Sequence, residues 1–465
     1  MTELALLPIA RLSAMLDAGD ADAEVLTRVL LDRIHGEGRV LNCYITLCEE
    51  TALAEARAAA KRAAAKRRRG ALDGIPVAVK DNIDVAGVPT SNGFGGPAWR
   101  IPSEDSEIVR RLRAAGAVIL GKLNMHEGAL GATTDNPHHG RTINPYRAGH
   151  SPGGSSGGSG AAVAAGLCCA ALGTDTGGSV RIPASYCGVV GLKPSFGLIS
   201  TRGVVPLSYR LDHAGPLTRT VADAAIMLGV LVGFDPRCPE SRHGPDFRPN
   251  GTGPARLDGM RLGIIRNYSA EVHEAAVRQA FDRALQQLSS LGATTRLLDL
   301  PSYDVVQGRR AGFVRVEAEA AFVHGPLYER EPERFSLEMR RYLDYGRDLA
   351  ALRLLAAERR IDVAAFELAQ CFQAVDAIVS PTTPQAAPAF DGPAHDSAGS
   401  FCILANFAGF PAISVPMGAT EQGLPLGLQI IGPLHEETRV LRIAASYEAA
   451  AGINLTPPPL GSLPA

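Results

Sequence analysis

An excess of charge of one sign is the first thing this chain lacks. Its 46 lysines and arginines face 48 aspartates and glutamates, which leaves a net charge of −2. No strong electrostatic attraction to nucleic acid follows from that balance. Long apolar runs are missing too. None reaches the roughly eighteen residues at which a membrane-spanning helix is read. The opening stretch, MTELALLPIARLSAMLDAGDADAE, carries acids and has no basic segment leading into an apolar one, so no signal peptide is expected. The eight cysteines are scattered and form no C-x-x-C pair. That usage fits reduced thiols and predicts a cytoplasmic protein. Cys168 and Cys169 sit in an apolar run and read as small core residues. Metal-ligand spacing is absent as well. His138 and His139 are adjacent, which suits one metal poorly, and there is no H-E-x-x-H, so no bound metal is expected. No internal repeat is evident.

What the chain has is glycine in one place. Ser151–Gly197 reads SPGGSSGGSGAAVAAGLCCAALGTDTGGSVRIPASYCGVVGLKPSFG, with twelve glycines, seven serines and three Gly-Gly-Ser turns. Globular chains average about 7% glycine. Glycine lets backbone approach backbone or substrate closely. Amides left free in such turns can converge on one spot and hold an oxygen anion. The small apolar segment GAAVAAGLCCAAL and the spaced charges Asp175, Arg181 and Lys193 argue against a flexible linker. A P-loop would need a lysine soon after the glycines, and none follows. A dinucleotide fingerprint begins correctly at Gly158 and Gly160, but Val163 stands where the third glycine should be. A tightly packed helix accounts for Gly160–Gly166 and leaves the serines unexplained. Nucleophilic chemistry accounts for them, provided that a base can remove a hydroxyl proton. The nearest histidines are His138, His139, His150 and His213, and spacing alone leaves a Ser-His-Asp triad open.

GGSSGGSGAAVAAG followed by GTDTGGSVRIPA resembles the signature of the amidase signature family. DGIPVAVKDNIDV, Asp73–Val85, resembles that family's lysine segment. Lys80 lies 75 residues before Ser155, and Ser155 lies 24 before Ser179. Weaker similarity runs from about Leu12 to Gly452. The resemblance implies a Ser-cisSer-Lys triad. Ser179 would be the nucleophile, Ser155 a relay joined to Gly154 by a cis peptide, and Lys80 the base. A lysine is a base only when neutral, and the apolar neighbours Ile75, Val77, Ala78 and Val79 would push it toward that state. The amides of Thr176, Gly177, Gly178 and Ser179 would form the oxyanion hole. Ser156 and Ser159 read as cap or turn residues. Asp175 and Arg181 read as braces of the loop, Lys193 as structural, Asp212 as a structural hydrogen-bonding residue and His213 as a satisfied loop or core group.

Around this block the chain alternates. Residues 8–69 read as helices; Val25, Leu26, Val29, Leu30 and Ile34 make one stripe. The basic run KRAAAKRRRG reads as a solvated helix face. IPVAVKD reads as a buried strand, Ile108–Ala115 as a helix, and Ala117–Leu120 as a strand ending at Gly121. Lys122–Glu127 is then expected to open a helix bordering the substrate pocket, with Met125 as a pocket or core residue. Phe234–Asp258 reads as a surface loop. Strands are expected at Arg261–Ile265, Thr294–Leu300 and Val375–Val379, and helices at Glu271–Leu291, through most of 310–373, and at Glu436–Ala451. Strands alternating with helices argue α/β. The resemblance implies one large domain with a mixed central sheet covered by helices on both faces. Its parts would be N-terminal helices (1–69), a catalytic core (70–235), a variable pocket-covering region (236–373) and the C-terminal part of the core (374–465).

The implied reaction is acyl transfer from a small amide to water, with no cofactor. Ureide and carbamate substrates are alternatives, because relatives act on carboxybiuret-, allophanate- or urethane-like compounds. A further alternative is the glutamine-hydrolysing component of a tRNA-dependent amidotransferase. Anchored on ANFAGFPAISVP, that component has an aspartate seven residues before the asparagine matching Asn406, where this chain has Gly399. NMHEGALGATTDN also departs from its usual pattern. A free-standing amidase is therefore the preferred reading, with Gly154, Gly399 and Cys402 beside Met125 as pocket residues. With the triad complete, a non-catalytic scaffold is the least favoured alternative. The resemblance also makes a homodimer or a small accessory subunit candidate partners.

Overall fold

The computed structural model describes residues 2–459 except 98–99, 270, 273 and 393–396. The one tryptophan, Trp99, and the termini of the expected domain, Met1 and 460–465, lie outside the described residues. Thirteen strands form among the described residues. They are β1 (Tyr44–Leu47), β2 (Pro76–Lys80), β3 (Val118–Leu123), β4 (Asp135–Asn136), β5 (Gly140–Arg141), β6 (Ala170–Asp175) and β7 (Val190–Lys193). Then come β8 (His213–Thr218), β9 (Arg261–Ile265), β10 (Thr294–Leu298), β11 (Ala377–Pro381), β12 (Ala412–Ala419) and β13 (Pro425–Ile431). All but the β4–β5 hairpin join one eleven-stranded sheet, ordered β1-β3-β2-β6-β8-β7-β12-β13-β11-β9-β10. It is mixed: β2 runs parallel to β3 and β6, whereas β6–β8, β7–β8 and β12–β13 are antiparallel. Helices cover it, which makes one large α/β domain, as the sequence predicts.

The helices form where the apolar periodicity asks for them. Helix Ala23–His35 starts at Asp22, whose carboxylate accepts from the N–H groups of Glu24 (2.8 Å) and Val25 (3.0 Å). Leu26, Leu30, Leu31 and Ile34 bury its core face, while Val25, expected on that stripe, is 45% exposed. Helix Glu49–Ala64 ends earlier than the basic run that follows it. Arg62 pairs with the buried Asp73 at 2.5 Å, and Arg68 donates to the Asp73 carbonyl at 2.9 Å, so two of those basic residues tie down the approach to β2.

Three expectations need correction. Residues 8–69 are not all helical, because Tyr44–Leu47 pairs antiparallel with β3. Gly121 does not end β3. A Cβ there would lie 2.2 Å from the Thr46 carbonyl oxygen, so this glycine marks the close crossing of β1. Lys122–Glu127 does not open a helix: Lys122 and Leu123 continue β3, and only a short 3₁₀ turn, Glu127–Ala129, follows. Elsewhere the helix expected over Glu271–Leu291 runs Ala275–Ser290, with His273 outside the described residues, and Glu437–Ala451 closes the chain's last helix. Residues 234–258 hold neither helix nor strand. Among the described residues all eight cysteines are free thiols, and no helix is long and apolar enough to cross a membrane.

Candidate active site

The site forms where β2 and β6 run side by side and end. Val79 of β2 registers with Leu172 of β6, and the side chain of Lys80, the last residue of β2, reaches Thr174 near the end of β6. The C-terminal ends of parallel strands are where α/β sheets open crevices for ligands. Helix Gly157–Ala164 packs over β6 with every residue buried. It can do so because its residues are small. A Cβ on Gly158 would lie 2.4 Å from the Asn124 carbonyl oxygen. The approach is stitched by serines: Ser156 Oγ donates to Thr174 O (3.2 Å) and Ser159 Oγ to Leu172 O (3.1 Å). Ser156 occupies the N-cap position but makes no side-chain cap bond, so these serines hold helix to strand rather than capping.

Lys80 is fully buried. Its Nζ donates to Ser155 Oγ at 2.7 Å and to Thr174 Oγ1 at 2.8 Å. Burial pushes the lysine pKa down to about 7, opposed by the carboxylates of Asp212 and Asp175. Ser155 is fully buried and follows a cis peptide from Gly154. Its carbonyl accepts from His126 N–H at 3.0 Å. Ser156 N–H donates to Ser179 O at 3.3 Å, which brings the two Gly-Gly-Ser turns against each other. Ser179 itself is half-buried and lines a cavity of about 90 Å³.

The loop after β6 is fixed from beneath. Asp175 accepts from Gly178 N (2.8 Å), from Arg181 Nη2 (2.9 Å) and from Asn406 Nδ2 (2.9 Å). Arg181 in turn donates to Cys402 O, Gln429 Oε1 and Asn406 Oδ1. Asp175 and Arg181 have no exposed surface, and the guanidinium holds the carboxyl well below its usual range against the opposing effect of burial. Asp212 steadies the other edge: its Oδ1 accepts from Thr176 Oγ1 at 2.5 Å, and its Oδ2 accepts from Leu207 N at 2.8 Å. Burial raises its pKa to about 6. Lys193 is buried, and burial holds its ammonium pKa well below the usual value. Asp175, Arg181 and Asp212 thus brace the loop, as expected from the sequence.

Of the four amides expected to face an oxyanion, Gly178 N–H is committed to Asp175. The amides of Thr176, Gly177 and Ser179 have no acceptor among the described residues, and these three residues line the cavity. Gly154 and Gly399 line it too. A Cβ on Gly399 would lie 2.9 Å from the Gly177 carbonyl oxygen, so a side chain there would press on the loop. Cys402 lies beneath the cavity, its Cβ 2.7 Å from where a Cβ on Gly178 would sit. Met125 is fully buried and does not reach the cavity; it is a core residue. No histidine among the described residues bonds to the side chain of Ser155 or Ser179: His138 meets Glu127, His139 meets Phe94 O, His150 meets Ala148 O, and His213 meets Leu211 O. No cluster of three or more metal-ligating side chains occurs among the described residues. Sequence reasoning missed Thr174, the second partner of Lys80, and the cavity wall Arg309, Gly312, Phe313 and Val316, which recur at helical spacing on Val305–Arg330.

The family model described as Amidase matches residues 25–441. The chain belongs to the amidase signature family. A similar relative is the A component of the glutamyl-tRNA(Gln) amidotransferase of Chloroflexus aurantiacus, 39% identical over 96% of this chain and 97% of that one. Among solved structures, native peptide amidase from Stenotrophomonas maltophilia is 31% identical and superposes with a TM-score of 0.88 over 99% of this chain and 100% of that one. A protein from a vestigial complex bearing on the origins of an s-triazine catabolic enzyme is 33% identical, with a TM-score of 0.90 over 97% of this chain and 100% of that one. This amidase family member is thus a hydrolase of carbon–nitrogen bonds other than peptide bonds.

Proposed function

We propose that the chain is a free-standing amidase that cleaves small amides through a seryl acyl-enzyme. The observation that carries the reading is the buried Lys80 Nζ bonded to Ser155 Oγ beside the cavity-lining Ser179. Lys80, neutral above about pH 7, draws a proton through Ser155 as Ser179 Oγ attacks the carbonyl. The amides of Thr176, Gly177 and Ser179 receive the developing oxyanion. The proton returns through Ser155 to the leaving nitrogen, and water then releases the acyl group by the reverse relay. No metal or cofactor enters this chemistry. Residues 236–373 cover the pocket in this reading, between a core of 70–235 and its C-terminal part, 374–465.

Glutamine hydrolysis within a tRNA-dependent amidotransferase is the second reading, favoured by the Chloroflexus aurantiacus relative. Against it stands the cavity wall, which has glycine at position 399 and, among the described residues, no carboxylate for an amino group. Ureides and carbamates share the same attack on a carbonyl and stay within the proposal as substrates. The test is release of ammonia or amine from a panel of primary amides, anilides, ureas, carbamates and glutamine, with Ser179→Ala beside it. Turnover of small amides by the chain alone supports the proposal. Turnover of glutamine only, with partner subunits added, overturns it.

A further inference from the structure

Among the described residues the cavity beside Ser179 is walled mostly by backbone and apolar side chains, with one charged group, Arg309. The helix that carries it comes in close. A Cβ on Gly312 would lie 2.4 Å from Ile403 Cδ1, and Arg309 sits one turn earlier on the same face. Arg309 Nη1 is buried and has no hydrogen-bond partner. A neighbouring arginine on this helix is served differently: Arg315 pairs with Glu319 at 3.0 Å and also with Glu358. No acid pairs with Arg309 among the described residues, and none lines the cavity.

A guanidinium nitrogen held away from water without an acceptor is unfavourable, and the planar fork matches a carboxylate through two parallel hydrogen bonds. We propose that Arg309 receives a carboxylate of the substrate, so that the preferred substrates are small amides that are also acids. This rests on the amide-hydrolase reading above and names the class within it. With no acid in the wall among the described residues, an ammonium group would find no partner in that part of the wall. Acid amides that lack an ammonium group therefore fit better than amino-acid amides such as glutamine. Arg309 is the specificity-determining residue in this scheme, and Phe313 and Val316 supply the apolar wall beside it.

The experiment compares oxamate, malonamate, succinamate and glutaramate with neutral amides of equal length, such as butyramide for succinamate. Wild-type enzyme, Arg309→Gln and Arg309→Lys are assayed for kcat/KM. At least one acid amide is expected to exceed its neutral partner tenfold or more. That ratio should fall at least tenfold in Arg309→Gln and recover in part in Arg309→Lys. A ratio that stays the same in Arg309→Gln, or neutral amides preferred by the wild type, overturns the proposal. Calorimetry of the matching carboxylates with Ser179→Ala, with and without Arg309→Gln, reads the same contact without turnover. Saturable binding that weakens at least tenfold on losing Arg309 supports it, and binding indifferent to Arg309, or none, overturns it. If the wild type turns over no amide at all, the amide-hydrolase reading fails, and the calorimetry still decides the carboxylate contact.

Discussion

In the proposed mechanism one lysine decides how the site works. Lys80 is buried, carries a pKa of about 7, and gives its two hydrogen bonds to Ser155 and Thr174. The base form is the neutral amine, so protonation removes it. kcat/KM should therefore rise with pH through about 7 and level off above, falling about tenfold per unit on the acid side; a pH–rate profile checks this. Thr174 Oγ1 accepts from Nζ and so favours the ammonium. In Thr174→Val the acid limb should shift to lower pH while kcat drops about tenfold, with KM within about twofold. An unshifted limb would mean that Thr174 only fills space. The lysine and both serines are legible in the sequence because they stand in motifs with few free positions. Thr174 is not, because nothing in GTDTGGS separates the threonine that faces a lysine from Thr176, which bonds to Asp212. Arg309 is hidden for a similar reason: it is one of many arginines on a long charged helix, and only the fold turns it inward.

At the scale of elements, the glycine block is a packing device as much as a chemical one. Gly158→Ala would drive a methyl against the Asn124 carbonyl, which is backbone and cannot swing away. A loss of about 1–3 kcal/mol is expected from thermal or urea unfolding. The buried Asp175–Arg181 pair ties the loop after β6 to Asn406 and Gln429, residues more than two hundred positions away. Arg181→Met strands a buried carboxylate and should destabilise the protein by about 3–5 kcal/mol. Activity should fall with it, because the same carboxylate holds Gly178 N–H. Some strands here are legible in the sequence, since IPVAVKD and the 375–379 run have short, mostly apolar patterns. Strand β1 is not, being four half-buried residues between two helices, and Gly121 reads as a stop when it serves a crossing strand. Both failures come from pairing between distant segments, which local periodicity does not carry.

For the whole molecule, the eleven-stranded sheet brings together the lysine segment, the glycine block and the C-terminal residues Gly399 to Gln429 that support the loop. The fold class is readable from sequence because the family pattern spans nearly the whole chain. The choice of substrate is not, because one side of the cavity wall comes from helix Val305–Arg330, whose pocket-facing residues are set by packing. The central claim is that Ser179 forms an acyl-enzyme on a small amide. It is tested most directly by intact-protein mass spectrometry of wild type and Ser179→Ala after mixing with a turned-over amide, alongside steady-state rates. The expected result is a mass increase equal to the acyl group, mapped to Ser179, with activity lower by about 10³-fold or more in Ser179→Ala. Activity that survives in Ser179→Ala, or an acyl group mapped to another residue, would contradict it.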